Sequence, residues 1–500
     1  MTRVIRRIRP LHLAPLLALL VLGAWVFASP LGSSPDDDYH LTSAWCADSP
    51  SADCEAGDNT AVRVAPEEVV EAGHCFRWDA TDSAACQDQL LDGDVTADTV
   101  TTRGNFNPSY PPVYYSVMNV FVGDDVEAAA LTMRFVSVAV FITLTSALFA
   151  LLRPERRPML LLAWVVTTMP LGLFLIASNN PSGWAVIGLG TVWISLLGFF
   201  ESHGWRKVAL GAITVIAAVM SAGSRGDAAM YTIIALGVGS VLGFARTRRY
   251  ALGLILPGVL AALSVAFFLS ARQVRSGISG FTGAVSAEAI VERHASVDKV
   301  QLAISNFLEV PSLWAGIFGG DYGLGWLDTK FPAIVTFAGI LAFLVVIVAG
   351  LGRMTWRKGL MLLGLVAVLW LLPVWVLTQG AFPVGEQVQP RYLLPLIVVF
   401  AGVAAYGAGD LRLTRLQMWL LVGALSFAHA IALHNNMRRY ISGDANFGWN
   451  LNTAVEWWWS FMPSPMIVLM VGALAYPLLL AMLMQAIART SQAVAVTAAR

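Results

Sequence analysis

Charge is what this chain has least of. Asp, Glu, Lys and Arg make up 13% of its 500 residues, against roughly 25% in a soluble globular protein, which excludes an ordinary soluble domain. The sequence also lacks a glycine-rich phosphate loop ahead of a helix and the H-E-x-x-H pair of zinc proteases. Nucleotide and zinc-protease chemistry therefore have no support, and no nucleic-acid partner is expected. No repeat of fixed period and no low-complexity linker divides the chain. The weak alternating pattern of an outer-membrane barrel is missing as well. Cysteine is nearly absent, with 4 in all, and every one falls between positions 46 and 86.

Apolar residues fill the space instead, 57% of the chain with 24 Phe and 17 Trp. Apolar runs of about 18 residues or more recur, each long enough to close its own backbone hydrogen bonds as a helix in hydrocarbon. The expected fold class is an all-α integral membrane protein of about twelve transmembrane helices, the lipid bilayer being its first partner. The spans are read at 11–28, 128–152, 159–178, 183–200, 208–222, 228–245, 251–270, 331–351, 359–378, 392–408, 418–434 and 466–488. The fifth is short enough to be tilted or broken. Basic turns, "RPERRP" at 153–158, "ARTRRY" at 245–250, "GRMTWRK" at 352–358 and "LRLTRLQ" at 411–417, alternate with loops poorer in Lys and Arg. With the amino-terminal "TRVIRRIRP", they put both termini in the cytoplasm of a multi-pass plasma-membrane protein. A cleaved signal peptide is the competing reading of the first segment, given its basic start and the small residues near Ala28 and Ser29.

The expected plan is a cytoplasmic amino terminus with the first helix (1–29), an extracellular loop (30–127) and helices two to seven (128–270). A second extracellular loop (271–330), helices eight to twelve (331–488) and a cytoplasmic tail (489–500) follow. Residues 30–126 of the first loop carry 18 Asp or Glu against 3 Arg, and all the cysteines: Cys46, Cys54, Cys75 and Cys86. An even number in an extracellular segment predicts two disulfides, with three connectivities open. A zinc site competes, but there is no C-x-x-C pair and His74 is the one imidazole close to the cluster.

Directly after the first span stands "PDDDYH", with Asp36, Asp37 and His40. A solvated turn that caps the next helix accounts for it most simply. Yet adjacent carboxylates at the end of a rigid span can hold a proton or a divalent cation, magnesium or manganese, on Asp36 and Asp37. The histidine adds a group that titrates near neutral pH. Further along, "RGNFNPSYPPVYYSV" at 103–117 brings Tyr110, Tyr114 and Tyr115 to the membrane boundary, where an aromatic belt is the plainer explanation. Arg134 lies inside the second span, where a charge is costly unless partnered. Asn180, Arg225 and Arg391 fall in turns on the same side. Together these polar groups predict a pocket for a negatively charged headgroup, although Arg225 could simply pair with Asp227. "WWWSF" at 457–461 suits either a glycan ring or, more simply, the membrane interface.

A first span ending in "ASPLGSSPDDDYH", the "YPPVYY" block, the arginine early in span two, "NNPSG" and "QPRYLLPL" together resemble the bacterial membrane family called domain of unknown function 2142. The family's P-D-[DE]-x-x-H signature falls on Pro35, Asp36, Asp37 and His40, with Asp37 where the family usually has Glu. The four-cysteine loop is similar to actinobacterial members, and the resemblance covers most of the chain. That family in turn looks like the C-type glycosyltransferases, which carry a catalytic acidic residue in the first outer loop. The resemblance implies transfer of a sugar from a polyprenyl-phosphate donor to an envelope glycan, lipid or protein acceptor. Asp36 or Asp37 would be the general base, with His40 orienting an aspartate or binding a sugar hydroxyl. Arg134, Arg225 or Arg391 would meet the leaving phosphate. A transporter or flippase of lipid-linked glycans is a second reading. Spans nearly free of Asp, Glu and Lys, with no inverted repeat, weigh against it. A third is a non-catalytic envelope assembly protein that docks through the acidic loop.

Overall fold

The computed structural model describes residues 10–51, 53–91, 98–271, 297–407, 414–453, 455–459 and 463–498. Most of the amino-terminal basic segment, the first part of the second loop (272–296), half of the basic turn at 411–417, the end of "WWWSF" and the last two residues of the tail lie outside them. The α-helices in chain order are α1 (Ala14–Phe27), α2 (Asp37–Trp45), α3 (Glu67–Glu71), α4 (Cys86–Leu91), α5 (Val113–Asn119), α6 (Val126–Leu151), α7 (Arg157–Thr167), α8 (Leu171–Ile176), α9 (Pro181–Glu201) and α10 (Gly204–Ala222). They continue as α11 (Gly226–Leu242), α12 (Arg248–Gly253), α13 (Ile255–Ser270), α14 (Lys299–Ile317), α15 (Ala333–Leu351), α16 (Trp356–Gln379), α17 (Pro390–Ala404), α18 (Arg415–Ser442) and α19 (Pro465–Ala498).

Among the described residues, 8 helical units are long and apolar enough to cross a membrane: α6, α9, α10, α12 with α13, α15, α16, α18 and α19. Three shorter apolar helices, α1, α11 and α17, fall where further spans were expected. The third expected span is not one helix. It divides into α7 and α8 around Pro170, which lacks an amide to donate and disfavours helical backbone in the residue before it. The fifth, expected to be short or broken, is the unbroken 19-residue α10, because "GWRK" joins its first turn. Three of the four helices that follow basic turns start on built caps. Thr247, Thr355 and Thr414 accept from the amides of Tyr250, Lys358 and Gln417, satisfying donors that would otherwise lack partners.

The core sits around α9. Of its apolar window 89% is buried, against 22–50% for the other candidate spans. In lipid there is no hydrophobic drive between helices, so close packing over small residues takes its place. Gly190 lies under the Trp164 ring, where a Cβ would come within 2.4 Å, and Gly402 of α17 lies under Trp193 in the same way. Outward faces of α13 and α15 carry exposed Val259, Leu263, Phe337 and Leu341, as hydrocarbon requires.

The first loop departs from the all-α expectation. It holds a three-stranded antiparallel sheet, β1 (Glu55–Ala56), β2 (Arg63–Pro66) and β3 (Asp98–Thr101), in the order β1-β2-β3 with Val64 opposite Val100. Two disulfides staple it, Cys46–Cys54 and Cys75–Cys86. The described part of the second loop is not irregular either. It contains α14, pinned by Asn306, which donates to the Phe382 carbonyl at 3.0 Å and accepts from the Val384 amide at 2.8 Å.

Candidate functional site

The exit of α1 is held from several directions before any acidic residue is reached. Arg134 of α6 donates Nη1 to the carbonyls of Val26 (3.0 Å) and Ser29 (2.7 Å), and Nη2 to that of Pro30 (2.9 Å). A cation there meets carbonyls that the helix end leaves unsatisfied. Gln87 grips Leu31 on both sides, accepting from its amide at 3.1 Å and donating to its carbonyl at 2.6 Å. Gly32 takes φ +76°, and a Cβ on it would come within 2.3 Å of the Gly73 amide nitrogen. Its carbonyl accepts from Trp326 at 2.8 Å. Asn180 donates to the Pro35 carbonyl at 2.8 Å while its oxygen caps α9 at Ser182.

On that rigid turn the three aspartates part company. Asp36, in left-handed backbone (φ 60°), keeps a side chain 38% exposed. Its carboxylate accepts from Arg391 Nη2 at 2.8 Å and Arg103 Nη2 at 3.2 Å. Burial pushes its pKa up, but the guanidiniums of Arg391 and Arg103 override this and draw it down to about 2. Asp37 is fully buried and accepts from the Gly32 amide at 3.0 Å, its other oxygen having no hydrogen-bond partner. Burial lifts it to about 6, against the pull of Arg134. Asp38 is clamped by Arg77 Nη1 at 2.8 Å and by Arg103 Nε at 2.5 Å.

Around Asp36 the chain gathers aromatic and cationic groups. Burial drives His40 down to about 3, so the ring is neutral, with Nδ1 2.9 Å from the Tyr115 hydroxyl. Its ring meets Tyr110 edge-on at 5.4 Å. Arg225 lies 5.7 Å from the Tyr110 ring and 4.5 Å from that of Tyr392. It is already held by Asp227 through bonds of 2.9 and 3.0 Å. Arg391 differs. It is 5% exposed, and its Nε and Nη1 have no hydrogen-bond partner. A buried guanidinium with free donors beside a half-exposed carboxylate can receive an anion.

The structure therefore brings together Asp36, His40, Tyr110, Tyr115, Arg225 and Arg391. Asp37, Arg134 and Asn180 serve the turn beneath them, and Tyr114 packs against Trp184 at 5.3 Å, fully buried. Arg134 thus offers no exposed donor to an incoming phosphate. Trp459 donates to the Phe27 carbonyl at 2.8 Å, and Trp458 is buried beside it, so those rings are packing rather than a free glycan platform. Sequence reasoning passed over Arg77, Arg103, Asp38, Gln87 and Tyr392. A signal existed for two of them. The acidic first loop has only three arginines, and Arg77 and Arg103 both return to Asp38. The donor set does not suit a divalent cation: Asp36 faces two guanidiniums and Asp37 a backbone amide. Among the described residues no group of three or more His, Cys, Asp or Glu is placed to hold a metal ion.

No curated protein and no solved structure matches this chain. The family described as predicted membrane protein (DUF2142) matches residues 19–400, a stretch that runs from α1 through the acidic turn to Arg391. With a match over well more than half of its length, the chain belongs to the DUF2142 family of membrane proteins.

Proposed function

We propose that this protein is a membrane glycosyltransferase that moves a sugar from a polyprenyl-phosphate donor to an envelope glycan, lipid or protein. The observation that carries the reading is the pair of Asp36 and Arg391, a half-exposed carboxylate 2.8 Å from a buried guanidinium with unpartnered donors. That is a base beside a seat for a leaving phosphate, at the point where a helix emerges from the apolar bundle. The basic turns at the opposite end favour an outer-face location, and so do the two disulfides, which belong to oxidising compartments.

In this mechanism the acceptor hydroxyl gives its proton to Asp36 while its oxygen attacks the anomeric carbon. The bond from that carbon to the phosphate oxygen breaks, and the phosphate leaves with the electron pair onto Arg391. Arg225, oriented by Asp227, adds positive field from behind. Asp36 is a weak base in the free protein because of the cations beside it. A donor phosphate that engages Arg391 offsets that pull, so the carboxylate gains basicity when the donor is bound. Neutral His40 and Tyr110 form the wall against which the sugar ring packs.

The test compares lipid-linked sugars and envelope glycans in wild type, a deletion strain, and the deletion carrying Asp36→Asn. Loss of the base should cost roughly 10²–10⁴ in transfer rate, so the variant should lose one glycosyl residue and accumulate its lipid-linked donor, as the deletion does. A variant that restores the deletion defect fully would remove Asp36 from the chemistry and leave transport or assembly as the role.

A further inference from the structure

A cavity of about 600 Å³ lies at the end of the bundle remote from Asp36, between α1, α6, α7 and α19. This is the size of a small-molecule site, which typically spans roughly 300–1,000 Å³. Its depth is apolar, with Leu22, Phe141, Leu161, Trp164 and Leu480 on the wall. Polar groups collect at one rim: His12 just ahead of α1, Arg157 in the first turn of α7, and Gln485 and Arg489 on α19. They share that rim because α19 packs against both the Pro10–Leu13 turn and the Pro154–Arg156 turn. No acidic side chain among the described residues lines the cavity. Arg157 leans on the Phe149 ring at 4.8 Å and leaves its buried Nε without a hydrogen-bond partner.

An apolar chamber with a basic rim at a helix-end boundary fits an amphiphile with an anionic head. We propose that this cavity binds an anionic glycerophospholipid of the leaflet at that end. Its acyl chains fill the wall of α1, α6 and α7, and its phosphate sits between Arg157 and Arg489. Two arginines exceed the charge of one phosphodiester. Headgroups of net negative charge are therefore preferred over zwitterionic ones. The site is separate from the cluster at Asp36 and does not depend on what that cluster does.

The test is native mass spectrometry of the full chain, delipidated in detergent and then exposed to equal amounts of phosphatidylglycerol and phosphatidylcholine. Phosphatidylglycerol should be retained roughly thirtyfold more, the scale that two basic side chains produce at a membrane surface. Arg157→Gln/Arg489→Gln should abolish that preference. Ala18→Phe, which fills the chamber and leaves the rim intact, should lower retention of both lipids, and it decides the matter if the double variant fails to fold. Equal retention by the wild type, an unchanged preference in the double variant, or unchanged retention in Ala18→Phe would overturn the proposal. Displacement of phosphatidylglycerol by an equal amount of a polyprenyl phosphate would overturn it too.

Discussion

Asp36, Asp37 and Asp38 occupy one turn, yet partners drawn from distant parts of the chain give them different work. Asp37 is the one whose ionisation the fold resists. Its folded pKa of about 6 lies above the ordinary value of 3.8, so the folded state binds this proton more tightly than the unfolded state does. The stability it contributes is complete below about pH 4, falls as pH rises towards 6 and is gone above that. Thermal unfolding in detergent should show this decline in the wild type, and Asp37→Asn should flatten it. Asp36 has the opposite sign. Its pairing with Arg391 and Arg103 stabilises the fold above about pH 4 and is lost only as pH falls through about 2. Arg134 is the costly residue to remove. Arg134→Met strips three carbonyls of their donor and leaves Asp37 without the neighbouring cation, a loss of about 3–5 kcal/mol by the usual cost of breaking a buried charged partnership. A drop in folded yield and melting temperature measures it. A variant that melts as the wild type does would mean that water satisfies those carbonyls.

At the scale of elements, the small sheet and α4 act as a brace for the exit of α1. Cys75–Cys86 closes the segment that presents Gly73 to Gly32 and Gln87 to Leu31. Cys75→Ser/Cys86→Ser should lower stability by about 2–4 kcal/mol and speed proteolytic cleavage between residues 73 and 87. Transfer should weaken with it, since the acidic turn loses its support. Gly32→Ala should be harsher locally. A left-handed position costs a side chain roughly 1–2 kcal/mol, and the added Cβ meets backbone that cannot step aside. Donor accumulation in the Gly32→Ala strain, with the loop disulfides still formed, is the expected reading.

At the scale of the whole molecule, α9 is the buried axis and the acidic turn and the basic rim lie at opposite ends of the bundle. Orientation is therefore one binary fact with many consequences. Because the described residues contain no free cysteine, introduced thiols report on it cleanly. A cysteine at exposed Val120, within the first loop, should react with a membrane-impermeant maleimide in intact cells. One at exposed Trp205, in the first turn of α10, should react only after lysis. The reverse pattern would place the acidic site in the cytoplasm and remove the outer-face reading.

Membrane class, most spans and the disulfide-bonded cysteine cluster were legible without coordinates, because hydrocarbon imposes its demand on each segment locally and the cysteines fall in one loop. A run of some eighteen apolar residues satisfies it whatever lies beside it. "PDDDYH" likewise stood out as acidic residues at a helix exit. The break at Pro170, the sheet in the first loop and α14 were not read, since short or interrupted elements form through contacts rather than through period. Which aspartate keeps a partly exposed side chain between cations depended on guanidiniums 67 and 355 residues away in the chain. Arg134, equally suggestive in sequence, turned out to be spent on backbone carbonyls. Hydrophobic length is a property of a segment. The ionisation and reach of a carboxylate depend on distance and burial, which exist only once distant segments have been brought together.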